Sequence, residues 1–240
     1  MSIGWMLLIT VLVLQVSVLF TTIYLHRSLT HKGLRLHPVI ANLMHLHLSL
    51  FTGIVPREWA AVHRKHHAYS DKPGDPHSPY IYGLWKVLFG NAFYYRREAS
   101  NPATIRKFTR DYEPDFIDKL RIGGWGILGG LAIFLGLFGW AWGAALFIGQ
   151  AVLYVLLNAS INSICHMVGY RNFDNKATNL QSIALLTAGE GLHNNHHQFP
   201  SAPKLSVKPH EFDPAWIVIK LLVALRLAEV TMPLPMAQAA

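Results

Sequence analysis

The chain has 240 residues and a formal net charge of +8, a length that suits one domain. Apolar residues make up 52% and charged residues only 14%, against about 25% charged in an ordinary soluble domain, which argues against a purely aqueous protein and for a partly lipid environment. All 21 Lys and Arg fall within 26–37, 56–121 and 166–240, and the intervening stretches 1–25, 38–55 and 122–165 contain no Lys, Arg, Asp or Glu. Because positive charge alternates with apolar segments, no nucleic-acid partner is expected.

The first stretch, MSIGWMLLITVLVLQVSVLFTTIYL, is long enough to cross a hydrocarbon core of about 30 Å as a helix, and a span over 3–25 is predicted. It has neither the basic n-region nor the small-residue cleavage site of a secretory signal. HRSLTH follows, with His26 and His31. Positions five apart on an ideal α-helix diverge by about 140°, so this pair reaches a common centre from a fraying helix end or flanks it. The next stretch, 38–55, is at the lower limit for a span. If it crossed, HRSLTH and VHRKHH would lie on opposite sides, yet both carry the basic flanks of cytoplasmic loops. A buried or re-entrant helix that does not cross is therefore predicted, with His45 and His47 as polar partners rather than ligands.

VHRKHHAYS supplies His63, His66 and His67, and DPHSP follows at 75–79. The basic run with Arg96, Arg97, Arg106, Lys107 and Arg110 fits the positive-inside bias and could also hold an acidic partner or anionic headgroups. Stretch 122–165 suits two crossings, over 122–141 and 143–162, joined by a turn near FGWAWG that leaves Trp140 and Trp142 at the far interface. Asn162, the single Cys165 and His166 come at its end; one cysteine admits no internal disulfide and suits a reducing compartment. LHNNHHQF supplies His193, His196 and His197, repeating the His-x-x-His-His spacing. DPAWIVIKLLVALRLAEV, 213–230, opens with an Asp cap and Pro and is predicted as a helix packed on the cytoplasmic domain or lying in the interface. The final MPLPMAQAA is expected to be disordered.

The predicted fold is an all-α integral membrane protein, with three spans, one non-spanning apolar helix, and cytoplasmic segments 26–121 and 163–240 forming a helical domain around a dimetal centre. Nine histidines gather on one side of the membrane. Positions i, i+3 and i+4 lie within about 100° of one another on a helix, so each His-x-x-His-His presents three imidazoles on one face. Nine are too many for one ion; shared between two, they leave each ion four or five ligands and a further open position, the mark of a reactive site. Spacing alone leaves Zn, Cu, Fe and Ni as candidates.

These motifs resemble those of the membrane-bound fatty acid desaturases of the stearoyl-CoA (delta-9) type. The likeness rests on HRSLTH, EWAAVHRKHH, DPHSP, NSICHMVGYR and GEGLHNNHH, in that order. It implies a non-haem di-iron centre held by His26, His31, His63, His66, His67, His166, His193, His196 and His197, with Asn162 contacting one iron through a water. It also implies O2 as co-substrate, two external electrons, and a cis double bond introduced into a long acyl chain. A mid-chain methylene has no acidic proton, so a general base cannot activate it, and a metal-oxygen reagent suits the task. Trp59, four positions before the second box, is expected to line a kinked acyl tunnel. Ala61 and Val62 stand where acyl-CoA-using relatives carry an Arg-Asp pair, which leaves CoA, an acyl carrier protein or an intact lipid as the carrier.

His37-Pro38 lacks the Gly-Gly of cytochrome b5 domains, so a separate donor of the ferredoxin, rubredoxin or cytochrome b5 type, with its reductase, is the expected partner. The expected location is a bacterial inner membrane with the site at the cytoplasmic side. Two rivals stand beside this reading: a hydroxylase or acetylenase on the same scaffold, and a non-catalytic membrane metal carrier, whose pathway would place ionisable residues inside the spans.

Overall fold

The computed structural model describes residues 1–235, so the last five residues of the predicted disordered tail lie outside the described residues. Helix α1, Ile3–Phe20, runs without interruption into a π-helical segment, Thr21–Thr30, giving one 28-residue rod. At about 1.5 Å per residue it exceeds the hydrocarbon thickness. Its early turns expose Leu8 and Leu12, as a lipid-facing surface requires, and its C-terminal half is buried from Thr21 to Arg27.

The π-helical segment revises the expected geometry of the first box. The His31 N–H donates to the His26 carbonyl at 3.0 Å, an i→i+5 bond that brings residues five apart onto the same side of the helix. Wider turns of this kind are rare and concentrate at functional sites. Neither a frayed end nor a flanking position is needed.

A short strand, β1 (Leu34–Leu36), leads into α2 (Pro38–Phe51), which is followed by α3 (Pro56–Tyr69) at an angle of 91°. Proline opens both helices, where its missing N–H is harmless. Helix α2 packs beside α1 and α8 (Gly126–Phe138), and α3 turns back to the π-helical segment, where His63 meets His31. Gly130 makes the α2–α8 approach possible: a Cβ there would collide with the Leu50 carbonyl. Within α2, His45 bonds Asp115 at 2.7 Å and His47 meets the Ser17 hydroxyl at 2.9 Å, so both are polar partners.

Four helices follow: α4 (Pro79–Tyr82), α5 (Leu84–Ala99), α6 (Pro102–Phe108) and α7 (Phe116–Lys119). Helix α5 crosses α9 (Trp140–Met167), and α6 packs along α3. The expected hairpin is present, with its turn at Gly139 (φ +77°) and with Trp140 and Trp142 exposed beside it. Its arms differ from the expected 122–141 and 143–162. The apolar helical arm over Gly123–Phe138 is shorter than a typical span, whereas α9 has 28 residues and carries His166 in its last turn.

The last part of the chain holds α10 (Gln181–Leu186), α11 (His193–Gln198) and α12 (Pro214–Ala224). Asp213 caps α12 as expected. The predicted helix over 213–230 ends early, because Arg226 takes φ +58° and Ala228–Val230 forms a second strand, β2, antiparallel to β1. The Arg35–Glu229 ion pair joins the two strands. A three-residue pairing between segments so far apart leaves no periodicity in the sequence to mark it.

Candidate metal centre and cavity

All nine predicted histidines come together where the C-terminal ends of α1 and α9 meet α3 and α11, and they form two groups. His26, His31, His63, His67 and His196 make one; His66, His166, His193 and His197 make the other. The i, i+3, i+4 pattern explains the division. Residues i and i+4 are about 40° apart and adjacent residues about 100° apart. Thus His63 and His67 share the five-histidine group while His66 turns to the other. On α11 the roles reverse: His193 and His197 join the four-histidine group and His196 crosses over.

Within each group the Nε2 atoms face one another. In the five-histidine group the contacts are His26–His196 3.0 Å, His31–His63 2.9 Å, His63–His67 3.0 Å and His67–His196 2.9 Å. In the other they are His166–His193 3.0 Å, His193–His197 3.1 Å and His66–His197 3.3 Å. Two imidazole nitrogens about 2.1 Å from one ion and at right angles to each other would be about 3.0 Å apart, so both groups fit a transition metal.

Outer partners fix which nitrogen points inward. Nδ1 of His26 faces Glu190 at 2.8 Å, Nδ1 of His166 faces Asp71 at 2.8 Å, and Nδ1 of His66 faces both oxygens of Asp75 at 3.0 Å. A neutral imidazole has one N–H; donated to a carboxylate, it leaves Nε2 with only a lone pair. Burial, followed by neighbouring cationic or imidazole groups, holds His31, His63, His67, His193, His196 and His197 well below the ordinary histidine value, so they are neutral near pH 7. Burial alone would raise Asp71, Asp75 and Glu190, but their histidine partners and hydrogen bonds outweigh it and keep all three below the usual carboxylate range. Converging lone pairs of neutral imidazoles repel one another unless a cation lies among them. The donor set therefore fits a metal pair.

Several supports lie inside the histidine motifs without belonging to either histidine group. Arg27, 1% exposed, forms a two-pronged pair with Asp213 at 2.8 and 2.9 Å and also reaches the carbonyls of Pro203 and Ala188. This ties the first box to the loops on either side of the third. Gly189 (φ +109°) lies against that pair, and a Cβ there would strike Asp213 and Arg27. Arg64 binds the carbonyls of Thr30, Leu29 and Phe108 together with Asp111. The two asparagines of LHNNHH are structural: Asn194 bonds the backbone of Phe173 and Ala177, and Asn195 bonds Glu211 and the Leu205 carbonyl. The sequence signal for the carboxylates is slight: acidic residues close to a histidine box, as in DKPGD and GEG.

A cavity of about 350 Å³ opens beside the histidines. His26, His63 and His193 form part of its wall, and Ile54, Val55, Ile127, Ala151 and Val155 are among its apolar residues. Trp59 lines it, stacked on His63 with ring centroids 4.7 Å apart and planes 9° apart. Asn162 also lines it, outside both histidine groups, and donates to Asn91 at 3.2 Å.

Two groups of converging imidazoles beside an apolar cavity, on helices long and apolar enough for a membrane, fit a membrane protein with a metal centre. Sequence comparison gives the family. The fatty acid desaturase family profile matches residues 3–212, and the chain belongs to that family. It is similar to an acyl-CoA C20 delta-5 desaturase of Anemone leveillei, with 33% identity over 87% of this chain and 67% of that one. An sn-1 stearoyl-lipid 9-desaturase of Anabaena variabilis is 32% identical, over 86% and 76%. A hex-5-enoyl-acyl-carrier-protein acetylenase of Moorena producens is 31% identical, over 85% and 69%. The chain is thus an integral membrane oxidoreductase of the acyl desaturase class, with a metal centre.

Proposed function

We propose that this enzyme uses O2 and two electrons to insert a cis double bond into a saturated long acyl chain, with two irons as the metals. The five-histidine group would hold one iron and the four-histidine group the other, with Asn162 acting through a water as the family resemblance implies. When bound, the iron pair supplies oxidising power sufficient for an unactivated C–H bond. The protein's own residues do the placing. Asp71, Asp75 and Glu190 fix imidazole orientation, the apolar wall takes the chain from water at about 0.8 kcal/mol per methylene, and Trp59 backs His63 while shaping the tunnel. The observation that carries this reading is the meeting of nine inward-facing imidazoles at the wall of an apolar cavity.

Three crossings by α1, α8 and α9 would leave all the boxes on one side, and the basic flanks favour the cytoplasmic face of a bacterial inner membrane. A separate ferredoxin, rubredoxin or cytochrome b5 type donor with its reductase would supply electrons. The three relatives act on CoA, lipid and carrier-protein substrates at nearly equal identity, so overall similarity does not choose the carrier. Arg96, exposed and lining the cavity, would meet the polar end of the substrate. Reconstituted enzyme supplied with a saturated acyl substrate, electrons and O2 should yield product lighter by two mass units. A gain of sixteen mass units would indicate hydroxylation instead, and no acyl-dependent oxygen uptake would remove the enzymatic reading.

A further inference from the structure

His77 is 4% exposed, and neither of its ring nitrogens has a hydrogen-bond partner among the described residues. A buried polar group in that state is costly, and native structures rarely leave one without a reason. Its surroundings supply one. His77 lines the cavity, and its ring lies 4.7 Å from that of His66. Its backbone N–H donates to Asp75, the carboxylate that also holds His66. Ser78 donates to Asp71, which holds His166. The segment from Asp71 to Ser78 therefore orients two of the four histidines in the smaller group and presents a third, unpaired imidazole beside them.

A second unpaired nitrogen on the cavity wall belongs to a member of the same group. Nδ1 of His193 is buried without a partner among the described residues, and His193 lines the same cavity. With Nε2 turned toward the metal position, Nδ1 carries the N–H. A neutral His77 brings one further N–H and one lone pair. His77 lies outside the four-histidine set and is gathered instead with His66 and Asp75, their ligand-type atoms within 4.8 Å of one another. The smaller group also has one nitrogen donor fewer than its neighbour.

We infer that His77 holds a small oxygen-bearing or anionic ligand, water in the resting enzyme, at the cavity wall beside the four-histidine group. His77 is a positioning residue there: it holds the small ligand by a hydrogen bond. The inference rests on the proposed metal centre.

The test uses the full-length, iron-loaded protein in lipid nanodiscs, with azide as the small-ligand probe. Metal content, azide affinity from its visible absorption band, and the fraction of consumed oxygen released as hydrogen peroxide are compared for wild type, His77→Phe and His77→Gln. His77→Phe should keep wild-type iron content but bind azide about tenfold more weakly and release more peroxide, a loss of the size that one charge-assisted hydrogen bond accounts for. His77→Gln retains a donor and an acceptor and should recover most of the azide affinity. Unchanged azide binding and absorption in His77→Phe would overturn the inference. So would loss of iron from His77→Phe without recovery in His77→Gln, which would make His77 a structural residue. Wild-type protein without iron would instead defeat the metal-centre reading, and this inference with it.

Discussion

The two histidine groups differ in both number and support. The larger draws five imidazoles from all three boxes, and among the described residues only its member His26 meets a carboxylate, Glu190. The smaller has four, two of them held by Asp71 and Asp75 from one short segment, with the unpaired His77 beside it. A site one ligand short but firmly oriented suits an exchangeable position, whereas a fuller site suits a more constant one. The division of each His-x-x-His-His between the groups makes this contrast accessible to neighbouring substitutions.

The largest effect should come from comparing His66→Ala with His67→Ala. His66→Ala leaves the smaller group three ligands, and we expect about one iron per chain and no measurable product. His67→Ala leaves four in the larger group, so iron should stay closer to two per chain, with activity lowered by more than the about 100-fold that an outer partner is worth. Elemental analysis of both purified variants checks this; equal iron loss would erase the distinction between the groups.

Next in size are the outer carboxylates. Asp75→Asn should weaken metal affinity or activity by about 10- to 100-fold through His66, and Glu190→Gln should do so through His26. Iron retention during chelator challenge separates them: the first should release iron from the smaller group first, the second from the larger. Release from the same group in both variants would contradict the assignment.

A smaller, graded effect is expected with pH in the metal-free protein. His63, His67, His193, His196 and His197 sit well below their ordinary 6.5 when folded. The unfolded chain therefore binds more protons once pH drops below about 6.5, and stability falls there by up to about 1.4 kcal/mol per pH unit for each such group. Above that window their contribution is complete. The depressed carboxylates act only further down, below about pH 4. Thermal melting should be flat above about pH 7 and fall on acidification; a melting temperature that rises toward pH 5.5 would contradict the burial of neutral imidazoles.

Trp59→Ala should have the mildest consequence, leaving both metal groups intact while broadening chain length or double-bond position by a few-fold in product ratio. Product profiles indistinguishable from wild type would remove Trp59 from the tunnel wall.

Much of this molecule is legible in its amino-acid sequence. Charge-free stretches mark the apolar helices, and helical spacing gathers the imidazoles of His63–His67 and His193–His197. What escapes depends on contacts between distant segments. A π-helical turn at His26–His31 has no local propensity signal, since the wider turn is selected by what the two imidazoles must reach. The partners Asp71, Asp75 and Glu190 lie near the boxes along the chain, but which imidazole each meets is decided by how the segments fold over one another. The β1–β2 pair and the Arg27–Asp213 link have the same origin, and so does the unpaired state of His77, which only a packed interior reveals.

The central claim is that this polypeptide holds two irons in unequal nitrogen cages. Mössbauer spectroscopy of protein loaded with isotopically enriched iron tests it most directly. Two distinct high-spin signals of equal area, with His66→Ala removing one of them and sparing the other, are the expected result. A single iron environment, or none, would contradict it.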